Sequence, residues 1–181
     1  MWHDLAARNA QFTVVLRVAP SFRPVDEFVS YWNGGKFEGS APFHIDGNQF
    51  IANSFRPYGA RQQTIEVPEK FSLGSRPVAS DGWHIWTLDP AQPGAQTSTL
   101  YAVAASADPS KPVLGTRQRL QVEKVGPETI TMSAGQFATI HYRLSGLNDL
   151  WITPQDRLVV KSVIAARGLK YVLIEKTGEL L

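Results

Sequence analysis

The chain of 181 residues contains no cysteine and no long run of apolar residues. The lack of cysteine excludes disulfides, thiol nucleophiles and thiolate metal sites. No segment approaches the roughly 20 apolar residues that a membrane-spanning helix needs. The first residues, MWHDLAARNAQF, include an acid and no apolar stretch, which argues against a secretory signal. We therefore expect a cytoplasmic protein without membrane partners.

An excess of charge of one sign is also missing. The chain has 18 Lys and Arg against 16 Asp and Glu, and its formal net charge is +2. Its basic residues are scattered, and only Arg117 and Arg119 come near to forming a cluster. A nucleic-acid-binding protein concentrates basic residues on one face, so we expect no nucleic-acid partner.

Motifs for metals and cofactors are absent as well. The sequence has no Gly-rich phosphate loop, no paired-histidine metal motif and no Gly-x-Ser-x-Gly elbow. Histidine is rare and widely spaced, at positions 3, 44, 84 and 141. The sequence therefore predicts that the protein uses neither a metal ion nor a cofactor.

Short alternating segments dominate what is present. Hydrophobic residues make up 43% of the chain, which suits a single domain over residues 1–181. From residue 117 onward, strand-like runs follow one another between Gly- and Pro-containing turns. About nine strands must close or curl to avoid free edges. We therefore expect an all-β protein with short helical pieces, whose strongly curved antiparallel sheet forms a half-barrel or open barrel.

Some local features are less regular. Residues 1–9 are expected to form one or two helical turns. Asp46-Gly47 predicts a two-residue hairpin loop, because both residues tolerate positive φ. Gly126-Pro127 predicts a turn between two short strands. For the segment 75–89, the sequence is compatible with a helical turn and with a strand.

The second half carries a recurrent pattern of residues. It consists of Glu128, Ile130, Ala134, Gly135 and Phe137, then Leu150-Trp151, Leu158–Lys161, Tyr171 and Leu173. In this pattern, over roughly residues 75–176, the chain resembles an uncharacterised bacterial family with a lipoprotein-carrier-like half-barrel. The same kind of sheet occurs in carriers of acyl chains and in a cofactor-free enzyme of the violacein pathway. The resemblance implies the architecture and leaves both activities open.

His141 and Arg143 are the first candidate site residues. Strand alternation places them on one face, opposite Ile140, Tyr142 and Leu144. That face either is solvated or lines a cavity. In a cavity, a neutral imidazole moves protons near pH 7 and an arginine holds a phenolate or carboxylate.

Other candidates lie elsewhere along the chain. His84, with Asp81 just upstream, is either a packed residue or a general base. Arg56 and Tyr58 flank a proline, and they either bind an anion and move a proton or belong to an ordinary rim loop. Three aromatic residues are expected to be core or cavity walls: Trp86, Tyr101 and Trp151.

Two functions follow as hypotheses. In the first, the protein is a cofactor-free lyase, isomerase or dehydratase acting on an aromatic or lipophilic metabolite. Its catalytic residues are predicted to be His84, His141, Tyr58 and Arg56, and its substrate-binding residues Arg143, Trp86, Tyr101 and Trp151. In the second, the protein binds or carries a hydrophobic ligand without chemistry. A homodimer is one way to cover an exposed edge strand, and the N-terminal segment is another.

Overall fold

The computed structural model describes residues 2–5, 9–56, 59–74, 78–103 and 115–177. Most of the described residues lie in strands, which confirms the all-β class. The strands are β1 (Trp2–Leu5), β2 (Ala10–Val18), β3 (Pro24–Asn33), β4 (Lys36–Asp46), β5 (Gln49–Arg56), β6 (Gly59–Glu66), β7 (Ser72–Gly74), β8 (Ala95–Val103), β9 (Gly115–Met132), β10 (Gly135–Leu144), β11 (Asn148–Ile152), β12 (Val159–Ile164) and β13 (Leu169–Val172). The helical pieces are 3-10 helices at Val78–Thr87, called helix 78–87 below, and at Ala165–Arg167.

The strands form two sheets. Strands β1 to β6 lie in sequence order in a six-stranded sheet. The other sheet has seven strands in the order β13-β12-β11-β10-β9-β8-β7 and is a strongly curled half-barrel, as predicted. Strands β7 and β8 pair in parallel, which the expected antiparallel pattern did not anticipate.

The chain divides into two compact units. The first comprises Met1–Pro77 and Thr99–Gln118, and the second comprises Val78–Ser98 and Arg119–Leu181. The expectation of a single domain over residues 1–181 stays a prediction, because two compact units are compatible with one domain or with two.

The core of the first unit lies on one face of its meander. Alternation along β2 buries Ala10, Phe12 and Val14, whereas the residues between them are exposed. The Phe50 ring stacks between Phe43 and Tyr101, at centroid distances of 5.3 and 5.7 Å. Buried aromatic area of this kind dominates the stability of a small core.

Three local predictions are wrong. Residues 2–5 form a strand rather than helical turns, since they pair with residues 10–13 of β2. The hairpin loop consists of Gly47-Asn48, one residue later than predicted, because Asp46 pairs with Gln49. No turn separates two strands at Gly126-Pro127: β9 continues through a bulge, at which Gly126 has a φ of 153°.

Helix 78–87 resolves the ambiguity at residues 75–89 for the part that the structure describes. It packs against β11 and β12 of the second unit. Asp81 anchors it there, since Asn148 Nδ2 donates to Asp81 Oδ2 over 3.0 Å and to Ser162 Oγ over 3.0 Å. The sheet face beneath the helix is therefore covered, and the opposite face is not covered by this helix.

An exposed charge cluster joins three strands of the first unit. Arg17, Asp26 and His44 lie side by side on β2, β3 and β4. His44 Nδ1 and Arg17 Nε each lie 2.6 Å from a carboxylate oxygen of Asp26. The hydrogen bond from His44 and the contacts with Arg17 lower the pKa of Asp26, and partial burial opposes them.

The Asp26→Asn substitution should flatten the acid limb of the stability curve. A carboxyl group whose pKa is lowered by folding stabilises the protein above its unfolded pKa, and this contribution is lost as the pH falls through the folded value. The free energy of unfolding should fall less in the variant than in wild type between pH 7 and pH 3. The difference should be under about 1 kcal/mol, because the cluster is exposed. Urea unfolding at both pH values measures it, with exposed Asp46→Asn as control. Equal losses in D26N and wild type would contradict the assignment.

Candidate functional site

Three side chains lie side by side on one face of the second unit. His141 on β10 is the direct cross-strand neighbour of Trp151 on β11, and Trp151 is the neighbour of Lys161 on β12. Directly paired residues project to the same side of a sheet, so their side chains meet. This row is the centre of the candidate site.

The indole of Trp151 is covered on both sides. The His141 ring stacks on it at a centroid distance of 4.3 Å and an interplanar angle of 9°, and Lys161 Nζ lies 3.7 Å from the ring centroid. These two groups approach from the strands on either side of β11, so they occupy opposite faces of the ring. Trp151 Nε1 donates to Glu128 Oε2 over 2.5 Å. These contacts fix the indole, which in turn fixes the plane of the imidazole.

His141 forms a dyad with a carboxylate. Its Nε2 lies 2.8 Å from Asp149 Oδ1. An ionised carboxylate only accepts hydrogen bonds, so a neutral imidazole must carry its proton on Nε2. Among the residues that the structure describes, Nδ1 of His141 has no hydrogen-bond partner. Because Nε2 carries the proton, Nδ1 holds the lone pair and is the basic nitrogen of the ring. The side chain is 15% exposed.

Arg143 extends the polar part of this face. Its Nη1 donates to Glu123 Oε2 over 3.0 Å, and its Nε lies 3.6 Å from Asp149 Oδ1. The prediction that His141 and Arg143 share a face is confirmed. Arg143 therefore lies beside the dyad, whereas Lys161 lies on the far side of the indole from His141.

An apolar cluster adjoins Trp151. Ile130 and Val160 are buried with the indole, and three partly buried residues pack against them: Met132, Phe137 and Val163. The site thus has a polar end at the dyad and an apolar end at the β9–β10 hairpin. This arrangement suits a molecule with one polar group and a lipophilic body.

The remaining predicted residues lie elsewhere. His84 is buried within helix 78–87, and its Nε2 lies 3.6 Å from Asp81 Oδ1. Trp86 belongs to the same helix. Arg56 is half-buried on β5 and Tyr101 is buried in the core, both in the first unit. Tyr58 lies outside the described residues.

The structure therefore brings together three of the eight predicted residues, His141, Arg143 and Trp151. Sequence reasoning did not name Asp149, Glu128 or Lys161 as site residues. A hairpin at Ser145–Leu147 brings Asp149 close to His141. The register of β10 against β11 was the missing signal, because it brings two residues that are eight positions apart within hydrogen-bond distance. The roles of the other five residues stay predictions.

The described residues contain no group of three or more His, Asp or Glu side chains that could hold a metal ion. Within the same ranges, no helix is long and apolar enough to cross a membrane.

Comparisons with protein-family models, with curated proteins and with solved structures found no match to this chain. The half-barrel sheet agrees with the family resemblance in architecture, and a relation to the lipoprotein carriers is not shown.

Proposed function

We propose that the second unit is a cofactor-free enzyme that transfers a proton on a lipophilic or aromatic metabolite, with His141 as the general base. The observation that carries this proposal is the His141–Asp149 hydrogen bond of 2.8 Å, which leaves Nδ1 as the basic nitrogen. An oriented imidazole of this kind is the commonest proton-transfer group in enzymes.

The proton-transfer step assigns a role to each member of the dyad. His141 Nδ1 takes a proton from carbon next to a carbonyl group, and the electron pair of the broken C–H bond moves to the carbonyl oxygen. Asp149 holds the imidazole in the required tautomer and stabilises the imidazolium that forms. Return of the proton at another atom completes an isomerisation, and loss of a leaving group completes a lyase or dehydratase reaction.

The cation beside the dyad matches the charge that develops on the substrate. An enolate or phenolate oxygen is stabilised by Arg143, since it lies on the same face as His141 and next to Asp149. The half-buried Met132 and Phe137 offer contact to the lipophilic part of the substrate. Trp151, already covered on both faces, acts in this proposal by positioning His141 rather than by stacking on substrate.

A carrier that binds a hydrophobic ligand without chemistry is the alternative. It would need the apolar end of the site, but it has no use for an imidazole oriented by a carboxylate. The dyad therefore favours the enzyme. A cytoplasmic location fits this proposal, since small metabolites are the substrates it requires.

Deuterium uptake tests the proposal without knowledge of the full reaction. Aryl ketones, β-keto esters and hydroxylated aromatic acids are incubated with the protein in D₂O, and loss of their exchangeable C–H signals is followed by NMR. We expect catalysed uptake for at least one class with wild type and with His44→Gln, a matched control at an exposed His–Asp pair. Exchange no faster than in buffer for every class, or unchanged exchange in His141→Gln, would contradict the proposal.

A further inference from the structure

A pocket lies on the opposite face of the same strands, beneath helix 78–87. Its volume is about 180 Å³. Helix 78–87 and the loop after it, strands β9 to β11 and the turn after β11 line it. Since Tyr142 follows His141 on β10, their side chains project to opposite faces, and the pocket is separate from the dyad.

The pocket walls are mainly apolar. Ile85 and Trp86 come from the helix, and Ile140 and Ile152 come from the sheet. A cavity of about 150 Å³ lined by apolar side chains is large enough for benzene. The size and the facing aromatic and aliphatic walls therefore suit one six-membered ring with a small substituent.

Arg157 gives the pocket a cationic group. It has a φ of 55°, a left-handed conformation that is rare for residues other than glycine, asparagine and aspartate. Burial lowers the pKa of Arg157, and the Tyr142 side chain opposes this shift. A carboxylate beside the guanidinium favours its charged form. Arg157 thus combines a half-buried side chain with an uncommon backbone conformation.

Tyr142 and Lys124 add a donor and a second positive charge. Burial raises the pKa of Tyr142, so its hydroxyl stays neutral and able to donate at neutral pH. Lys124 is exposed and lines the same pocket. The pocket thus combines apolar walls with two cations and no acidic side chain among its lining residues.

We propose that this pocket binds a small monoanion made of one apolar ring and a carboxylate, such as an arenecarboxylate. The carboxylate pairs with Arg157 and accepts a hydrogen bond from Tyr142, and the ring lies between Trp86 and Ile140. A planar carboxylate suits a guanidinium, which can bind both of its oxygens. This binding site is independent of the proton-transfer chemistry proposed for the other face.

Isothermal titration with benzoate tests the site, with benzyl alcohol and acetate as probes that keep only the ring or only the charge. We expect benzoate to bind with a dissociation constant on the order of 1 mM, and the two partial probes at least about tenfold more weakly. Arg157→Asn should weaken benzoate binding at least about tenfold, since asparagine tolerates the left-handed backbone without supplying charge. The Arg157→Lys variant should recover part of it. Exposed Arg167→Asn is the matched control and should bind as wild type does.

NMR of protein labelled with ¹⁵N-tryptophan locates the bound probe even where a variant is unstable. Benzoate should shift the indole signal of Trp86 and leave that of Trp151, on the other face, unchanged. Undiminished binding in R157N, equal affinity for benzyl alcohol, no saturable binding, or a shift of Trp151 alone would each overturn the proposal. Benzoate binding does not depend on His141, and deuterium uptake does not depend on Arg157. Failure of the binding-site proposal can therefore be told apart from failure of the proton-transfer proposal.

Discussion

Replacement of Asp149 by asparagine should slow deuterium uptake by about 10²- to 10⁴-fold, close to the effect of removing His141 itself. The carboxylate of Asp149 only accepts a hydrogen bond, and this keeps the proton of His141 on Nε2. An asparagine can present its NH₂ group to Nε2 instead. The proton then moves to Nδ1, and the basic nitrogen is turned away from the substrate.

The design of this experiment separates orientation from charge. Asp149 also lies 3.6 Å from Arg143 Nε, so Asp149→Asn removes a charge as well as an orienting group. The Arg143→Gln variant is therefore measured alongside it. Since His141 and Asp149 act as one unit, the double variant H141Q/D149N should be no slower than H141Q. Additive losses in the double variant, or uptake within about threefold of wild type in D149N, would contradict a dyad.

Gly82→Ala should destabilise the protein by about 3 kcal/mol. A Cβ atom at position 82 would lie 2.2 Å from the carbonyl oxygen of Arg157, which is backbone and has no flexible end to move aside. Helix 78–87 would have to lift from the sheet, and its hydrogen bond from Asn148 to Asp81 would be strained. Because the helix supplies Trp86 to the pocket, benzoate binding should weaken in the same variant.

Urea unfolding gives the free energy of unfolding for G82A and wild type. The control is Ala79→Ser, at an exposed position of the same helix. It should stay within about 0.5 kcal/mol of wild type, as most surface substitutions do. A Gly82→Ala variant as stable as the Ala79→Ser control would show that the helix does not pack as closely as described.

The all-β class was predictable because it depends on local patterns, and the curl was predictable because a long sheet must limit its free edges. Alternation of apolar and polar residues identifies strands, and it correctly placed His141 and Arg143 on one face. The errors occurred where tertiary contacts decide. Residues 2–5 form a strand only because β2 is available for pairing, and Gly126-Pro127 stays within β9 because a bulge absorbs it.

The site was less predictable than the fold because cross-strand neighbours are not visible in sequence. The hydrogen bond between His141 and Asp149 depends on the register of β10 against β11. A shift of one residue in this register would place the two side chains on opposite faces of the sheet. Lys161 depends in the same way on β11 and β12. Arg157 escaped notice because nothing in RLVVK reveals its left-handed backbone or its place in a pocket. The predicted roles of Arg56 and Tyr58 in catalysis stay predictions.

The ¹⁵N chemical shifts of the His141 ring are the most direct test of whether Asp149 sets the tautomer of His141. For a neutral imidazole, long-range ¹H–¹⁵N spectra distinguish the ring nitrogen that carries a proton from the one that carries a lone pair. We expect a proton on Nε2 and a lone pair on Nδ1 in wild type, and the reverse in D149N. A wild-type spectrum with the proton on Nδ1 would contradict it, because His141 would then have no basic nitrogen facing a substrate.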